Sequence, residues 1–416
     1  MKNIARHRKS FGKTFAAGSV ALALLANTAS ALEITPFGKV GVIGSFNFGN
    51  GNTLDDPVLG YLGVTAHLGV DFNISGFRLG VGAMAGFAPL TLGAGGGYGS
   101  NFFVNHFGSL YKSPYVDASE LYFGYSDHGI SLIAGRYNAS KLLPTAEWIG
   151  GHNQGLAFSF QSDYFGIWAT WVNDYLRNGY NANADLGLDG RYGMDLAGFS
   201  GYSSSWDNFN IRNNLFAGGV DVKFAEYFSF SPYAQYWVRS HLDNYLQVGA
   251  RLSVAFNAGP VKSKTTLRGL WTNNLNSGGN GVMWQADEEL LFVDMIKLGG
   301  GYFSVGGIGL NELTIVDRTR FYGQYLFPQG YNGTGLINRG YLDAKVQTWY
   351  VFTGFKLGEM LDFDVLYADG DYKEFSAILN YNILSSENFA WSVGGGYVTN
   401  GFGNAHTGLA YTKLKF

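Results

Sequence analysis

The amino-acid sequence predicts an all-β fold: a transmembrane antiparallel β-barrel of about 18 strands, with short periplasmic turns and long extracellular loops. Three observations lead there. The N-terminus has the form of an export leader. The rest of the chain is poor in charge yet holds no run apolar enough for a spanning helix. Short and long connections alternate along the sequence.

In the leader, Lys2, Arg6, Arg8, Lys9 and Lys13 form a basic region ahead of the small apolar run Phe15 to Ala26. Ala29-Ser30-Ala31 fits the small-x-small cleavage pattern, so residues 1–31 are expected to be a signal peptide and 32–416 the barrel. The apolar run is shorter than the ~20 residues a membrane anchor needs. The chain has no cysteine, which excludes disulfides, thiolate metal sites and lipid attachment through an N-terminal Cys. The leader holds five of the 28 basic residues and none of the 31 acidic ones. What remains is acidic, which argues against nucleic acid as a partner.

Charged residues make up only 14% of the chain, against a typical ~25%. Strands with one apolar and one polar face account for that without an apolar run. Leu62, Val64, Ala66, Leu68, Val70 and Phe72 form one such face against Gly63, Thr65, His67, Gly69 and Asp71. After Asn73-Ile74-Ser75-Gly76 the pattern resumes with Phe77, Leu79, Val81, Ala83, Ala85 and Phe87. Each run is about eleven residues, close to the ~9–11 that a tilted strand needs to cross a bilayer. The 61 Gly, 27 Tyr, 33 Phe and 9 Trp suit strands, tight turns and aromatic girdles.

Short turns are expected at 73–76, 126–129, 161–164, 225–226, 257–259, 293–294, 357–360 and 384–388. Between them lie 47–57, 88–114, 138–153, 173–214, 240–244, 273–282, 304–343, 369–372 and 399–406, which are mostly longer. One barrel rim with tight turns and one with loops produces this alternation. Residues 283–303 could form one strand or two, 304–343 could hide a hairpin, and 16 or 20 strands fit the same pattern. Pro232 falls inside an expected strand, where it removes a ladder donor. The last strand carries its apolar residues to Phe416, whose parity with Leu414 and Ala410 points it toward lipid, while Lys413 and Lys415 face the lumen. It is expected to pair with the strand beginning near Ile34.

The leader, the strand count and the final Phe416 resemble large Gram-negative outer-membrane porins. More narrowly, Glu120-Leu121-Tyr122-Phe123-Gly124-Tyr125, Ile133-Ala134-Gly135-Arg136-Tyr137, Gly151-His152-Asn153-Gln154-Gly155 and Asp317-Arg318-Thr319-Arg320-Phe321 resemble the Hof family of Helicobacter outer-membrane proteins. That family is similar to the OprD-like specific porins. The resemblance implies passage of small, often anionic, nutrients. It also implies that Phe416 acts as the barrel-assembly signal read by the assembly machinery.

Enzymatic motifs are absent, and no cofactor or metal is expected. Gly95-Gly96-Gly97-Tyr98-Gly99 lacks the Lys-Ser/Thr of a phosphate loop. Asp127-His128 fall in a turn, and His67, His106, His152 and His406 have no metal-ligand spacing. Inward cations form the candidate site. Arg239 shares a face with Ser229, Ser231, Tyr233, Gln235 and Trp237. Arg251 opposes an apolar row, and Lys262, Lys264 and Arg268 share a parity on the next strand. On the lipid face such cations would cost ~2–4 kcal/mol near midplane, so they belong in the lumen. They are either a pore-lining basic track that selects anions or inward charges that pair with Asp221, Asp287, Glu288 or Glu289.

The leading expectation is an outer-membrane porin passing small hydrophilic solutes by passive diffusion, with outer-membrane lipid around it and a homo-oligomer compatible with the fold. The alternative is a surface adhesin or receptor that uses the barrel as an anchor for long external loops. The loops 173–214 and 304–343 are the candidates to narrow the pore. A transporter of hydrophobic compounds would need a plug before the first strand, for which little sequence is left. A barrel-embedded hydrolase lacks a triad.

Overall fold

The structure, a computed structural model, describes residues 32–48, 60–92, 115–139, 152–176, 214–224, 226–238, 244–307, 344–400 and 405–416. They form 18 strands: β1 Glu33–Phe48, β2 Gly60–Ile74, β3 Phe77–Leu92, β4 Tyr115–Asp127, β5 Ile130–Asn138, β6 His152–Gln161, β7 Phe165–Leu176, β8 Asn214–Phe224, β9 Phe228–Val238, β10 Tyr245–Ala258, β11 Val261–Asn274, β12 Asn280–Phe292, β13 Ile296–Gly307, β14 Gln347–Leu357, β15 Leu361–Gly370, β16 Glu374–Ser386, β17 Phe389–Asn400 and β18 Ala405–Lys415. Each pairs antiparallel with its neighbours in sequence, and β1 pairs with β18, so the sheet closes on itself. Closure leaves no free edge among these strands.

Turn chemistry sets the register. Ser75-Gly76 and His128-Gly129 have positive φ at both positions, and they bridge the pairs Ile74–Phe77 and Asp127–Ile130 as two-residue hairpin loops. Both central residues left-handed is the geometry that matches strand twist. The short connections between described strands fall at one rim near the expected positions. Two strands run further than expected: β10 reaches Ala258, so that Gly259-Pro260 make its turn, and β16 runs on to Ser386, while residue 225 lies outside the described residues. Residues 283–303 resolve into two strands, because Val293-Asp294-Met295 turn the chain. The possible hairpin within 304–343, like the leader and most of the long loops, lies outside the described residues.

Alternation then sorts the side chains, and the distribution is that of a soluble protein turned inside out. Leu121, Phe123, Leu132, Trp284 and Val351 are at least half exposed on the outer face, while Asp71, Glu120 and Asp221 are buried on the inner one. An apolar surface this continuous is matched to hydrocarbon rather than water. Pro232 sits in β9 opposite Ala250 of β10. On its other side the β8–β9 ladder skips from the Gly219–Tyr233 pair to the Val222–Phe230 pair, so the missing donor falls in a gap of the pairing. At the seam, Phe416 exchanges backbone hydrogen bonds with Gly38 at 2.7 and 2.9 Å. Its ring lies over Gly38 beside Leu68 on the outer face, with the parity the sequence implies.

Candidate functional site, the lumenal wall

Inward aromatic rings lie flat on glycines of the adjacent strand. Tyr122 covers Gly80, Tyr233 covers Gly249, Tyr350 covers Gly301 and Tyr411 covers Gly394, each so closely that a Cβ on the glycine would strike the ring. The sequence reading assigned the aromatics to outer girdles, but many of them line the inside. A ring held flat against the wall projects little into the lumen and places its hydroxyl near neighbouring inward side chains.

Those hydroxyls organise the polar groups. Tyr350 donates to Asp287 Oδ2 at 2.6 Å and accepts from Gln285 Nε2 at 2.8 Å. Arg268 Nη1 reaches Gln285 Oε1 at 3.5 Å. Gln247 Nε2 donates to Tyr233 Oη at 2.5 Å, and Tyr411 donates to Asn380 Oδ1 at 2.8 Å. On β2–β4, Arg78 makes a two-pronged ion pair with Asp71, which also accepts from Tyr122 at 2.7 Å. Beside it, His67 Nε2 lies 3.0 and 2.9 Å from the two oxygens of Glu120, which also accepts from Ser119. On the far side, Lys297 Nζ bridges Asp362 at 2.9 Å and Asp364 at 2.7 Å. It crosses the intervening β14 at Gly354, where any side chain would meet the lysine stem. At the external rim, outside the spanning segment, Lys373 Nζ donates to Asp369 at 2.5 Å, and that bond raises the ammonium pKa.

Of the five candidate cations, Arg251, Lys264 and Arg268 share the lumenal face on β10 and β11, with Arg251 directly opposite Arg268. Lys264 is exposed to the lumen and stands in register with Glu289, while Arg251 and Arg268 are half-buried. Lys262 is a correction. It is the second residue of β11, at the turn rim, and its Nζ is paired at 2.6 Å with Asp294 of the neighbouring turn rather than lying along the wall with the other cations. Arg239 lies outside the described residues. Glu288 is a second correction. Asp287 and Glu289 point inward, but Glu288 between them points outward, where it accepts from Ser263 at 2.6 Å and Thr265 at 2.5 Å.

Sequence reasoning missed the clusters of β2–β4 and β13–β15. Inward parity for His67 and Asp71 was visible, but their partners lie up to 53 residues away. Only the register brings them together. In a closed ring of 18 strands, β2 and β11 are nine strands apart in either direction. Arg268 and Lys264 therefore face the His67–Glu120 and Asp71–Arg78 groups across the lumen. Asp127 and His128 form an exposed turn pair at 2.7 Å. Among the described residues no group of His, Asp or Glu is arranged to hold a metal ion.

No family model and no curated protein matches the chain. Solved structures do. OccAB1 of Acinetobacter baumannii superposes with a TM-score of 0.62 at 8% identity, covering 92% of this chain and 96% of that one. OccD3 (OpdP) of Pseudomonas aeruginosa gives 0.62 at 10% identity over 94% and 93%. OccAB4 of Acinetobacter baumannii gives 0.60 at 12% over 93% and 98%. At such identity the likeness is one of fold, and it does not bear on the narrower Helicobacter Hof resemblance. The chain has, over nearly its whole length, the closed 18-strand fold of the OprD-like porins.

Proposed function

We propose that this chain is an outer-membrane channel for passive diffusion of small hydrophilic solutes, with a preference for anions. One observation carries the reading: a closed ring whose inner face is polar and charged while its outer face is apolar. An inner wall of carboxylates, amides, hydroxyls and guanidinium groups serves water and solutes and has no use in a mere anchor. Arg251, Lys264 and Arg268 form the wall that would attract anions, since fixed charges in a narrow, low-dielectric lumen act more strongly than in open water. The Occ barrels support the channel reading through their fold. Residues 1–31 as a cleaved export signal, residence in a Gram-negative outer membrane, Phe416 as an assembly signal and the Hof affiliation belong to the same proposal.

The test is single-channel recording of the refolded protein in a planar bilayer under a salt gradient. The wild type is expected to conduct, with a reversal potential on the anion side. Arg251→Ala and Lys264→Ala should each move that potential toward zero. Conductance with unchanged selectivity in both variants would remove the basic-track part alone. A folded, inserted barrel with no conductance and no liposome swelling would instead favour the loop-presenting anchor.

A further inference from the structure

Three lysines meet on the inner side of the seam between β18 and β1. Gly38 carries the ring of Phe416 on the outer face, so the neighbouring pair Lys39 and Lys415 faces the lumen. Lys413 shares that face with buried Tyr411. Lys39 stands directly opposite Lys415, and Lys413 is the next inward residue of β18, opposite Gly41. Like charges directly opposite on paired strands destabilise the ladder. β18 ends at Lys415, whose side chain is exposed, so the patch lies at the lumen mouth on the turn rim.

The register brings no acidic side chain to these cations. Lys39 is level with His67 on β2, Lys413 with Ser392 on β17 and Lys415 with Ala390. The diagonal positions on β1, β2 and β17 hold no Asp or Glu either. Carboxylates of the neighbouring sectors are held by other groups, Glu120 by His67 and Ser119, and Asp362 by Lys297. The C-terminal carboxylate of Phe416 accepts at one oxygen from the Gly38 N–H. The kind of cation then narrows the ligand. An ammonium is a compact point charge with three donors, suited to oxygens arranged as a tetrahedron, whereas a guanidinium fork matches a planar carboxylate. This patch holds lysines alone, and Arg251 stands on β10, nine strands away around the ring.

We infer that Lys39, Lys413 and Lys415 form a binding site for a phosphate-type oxyanion, inorganic phosphate or the phosphate group of a small ester, at the turn-rim mouth of the lumen. Lys39 and Lys415 donate to it from the two sides of the seam, and Lys413 donates from above, where Gly41 leaves room. A doubly charged ligand there relieves the repulsion between the opposed lysines. The inference rests on the lumen being a water-filled path for anions and names one class that the path collects.

The test is equilibrium dialysis of the refolded protein in micelles against radiolabelled inorganic phosphate, at low salt where exposed charges are least screened. Succinate, a dicarboxylate, is the competitor that separates tetrahedral from planar oxyanions. The wild type should bind one phosphate per barrel and prefer it to succinate. Lys39→Met and Lys413→Met should each weaken phosphate about tenfold, the low end for one charge-assisted hydrogen bond. Lys356→Met, which removes an exposed rim lysine in register with Asp362 on the far β14, should leave the affinity unchanged. Where a variant loses the heat-shifted gel mobility of a folded barrel, Lys415→Gln at the exposed end of β18 serves in its place. A wild type without saturable phosphate binding, an affinity unchanged in the seam variants, or succinate bound as tightly as phosphate overturns the inference. Single-channel recording of the same preparation separates it from the channel reading. A barrel that binds phosphate but passes no current keeps the site and removes the channel, and one that conducts without binding phosphate does the reverse.

Discussion

Gly301 and Tyr350 show how single residues shape the inner wall of the barrel. The glycine exists for the ring above it: a side chain there would displace Tyr350 and with it the hydrogen bonds to Asp287 and Gln285. Gly301→Leu is therefore expected to destabilise the barrel by about 1–3 kcal/mol, as overpacking does, measured by urea unfolding in micelles. Gly269 supplies the contrast. It faces outward with the nearest atom 4.0 Å from a would-be Cβ, so Gly269→Ala should change stability little. Parity was legible in the sequence at Arg251, Lys264, Arg268 and Phe416 because period-2 alternation needs only the neighbouring residues. Glu288 was misread because three consecutive acids were all assigned to the lumen. Alternation forces the middle one outward, where the hydroxyls of Ser263 and Thr265 satisfy it. The partners of His67, Asp71 and Lys297 were illegible, since periodicity within a strand says nothing about register between strands.

At the scale of elements, the hairpin turns carried most of what the sequence could tell. Gly at the second position of Ser75-Gly76 and His128-Gly129 marks left-handed geometry, and the strands follow from where those turns fall. The β12–β13 turn lacks that chemistry, which is why residues 283–303 were ambiguous. Val293 and Asp294 adopt φ of 46° and 58°, and a β-branched residue in the left-handed region is strained. Val293 is 57% exposed and loses little packing when replaced. Val293→Gly should therefore stabilise the barrel by about 1 kcal/mol, seen as a higher urea midpoint with an unchanged slope. An unchanged or lower midpoint would mean that the turn relaxes without glycine. Pro232 shows the converse, a local rule broken within β9 and absorbed by a gap in its ladder to β8.

The whole ring sets one charged wall against another. Arg251, Lys264 and Arg268 look across at the carboxylate-bearing β2–β4, and Lys297 holds Asp362 and Asp364 on a third sector. Removing a cation from that sector should act in the same direction as removing one from the basic wall, because the lumen averages the field of all its sides. Lys297→Met is expected to shift the reversal potential toward cation preference, most strongly at low salt, where the screening length is longest. A shift that is absent at every salt concentration would show that this sector lies away from the conduction path.

Closure between β1 and β18 also bears on how the molecule comes into being. Lys39 pairs with Lys415, so closing the ring joins two strands that are far apart in sequence. Loop closure over such a span is slow, and the ring cannot shut until β18 is in place. Until it does, two sheet edges stand open and a wall built for hydrocarbon meets water, an invitation to pair with the wrong chain. The same seam that leaves the finished barrel without edges leaves its unfinished form with two.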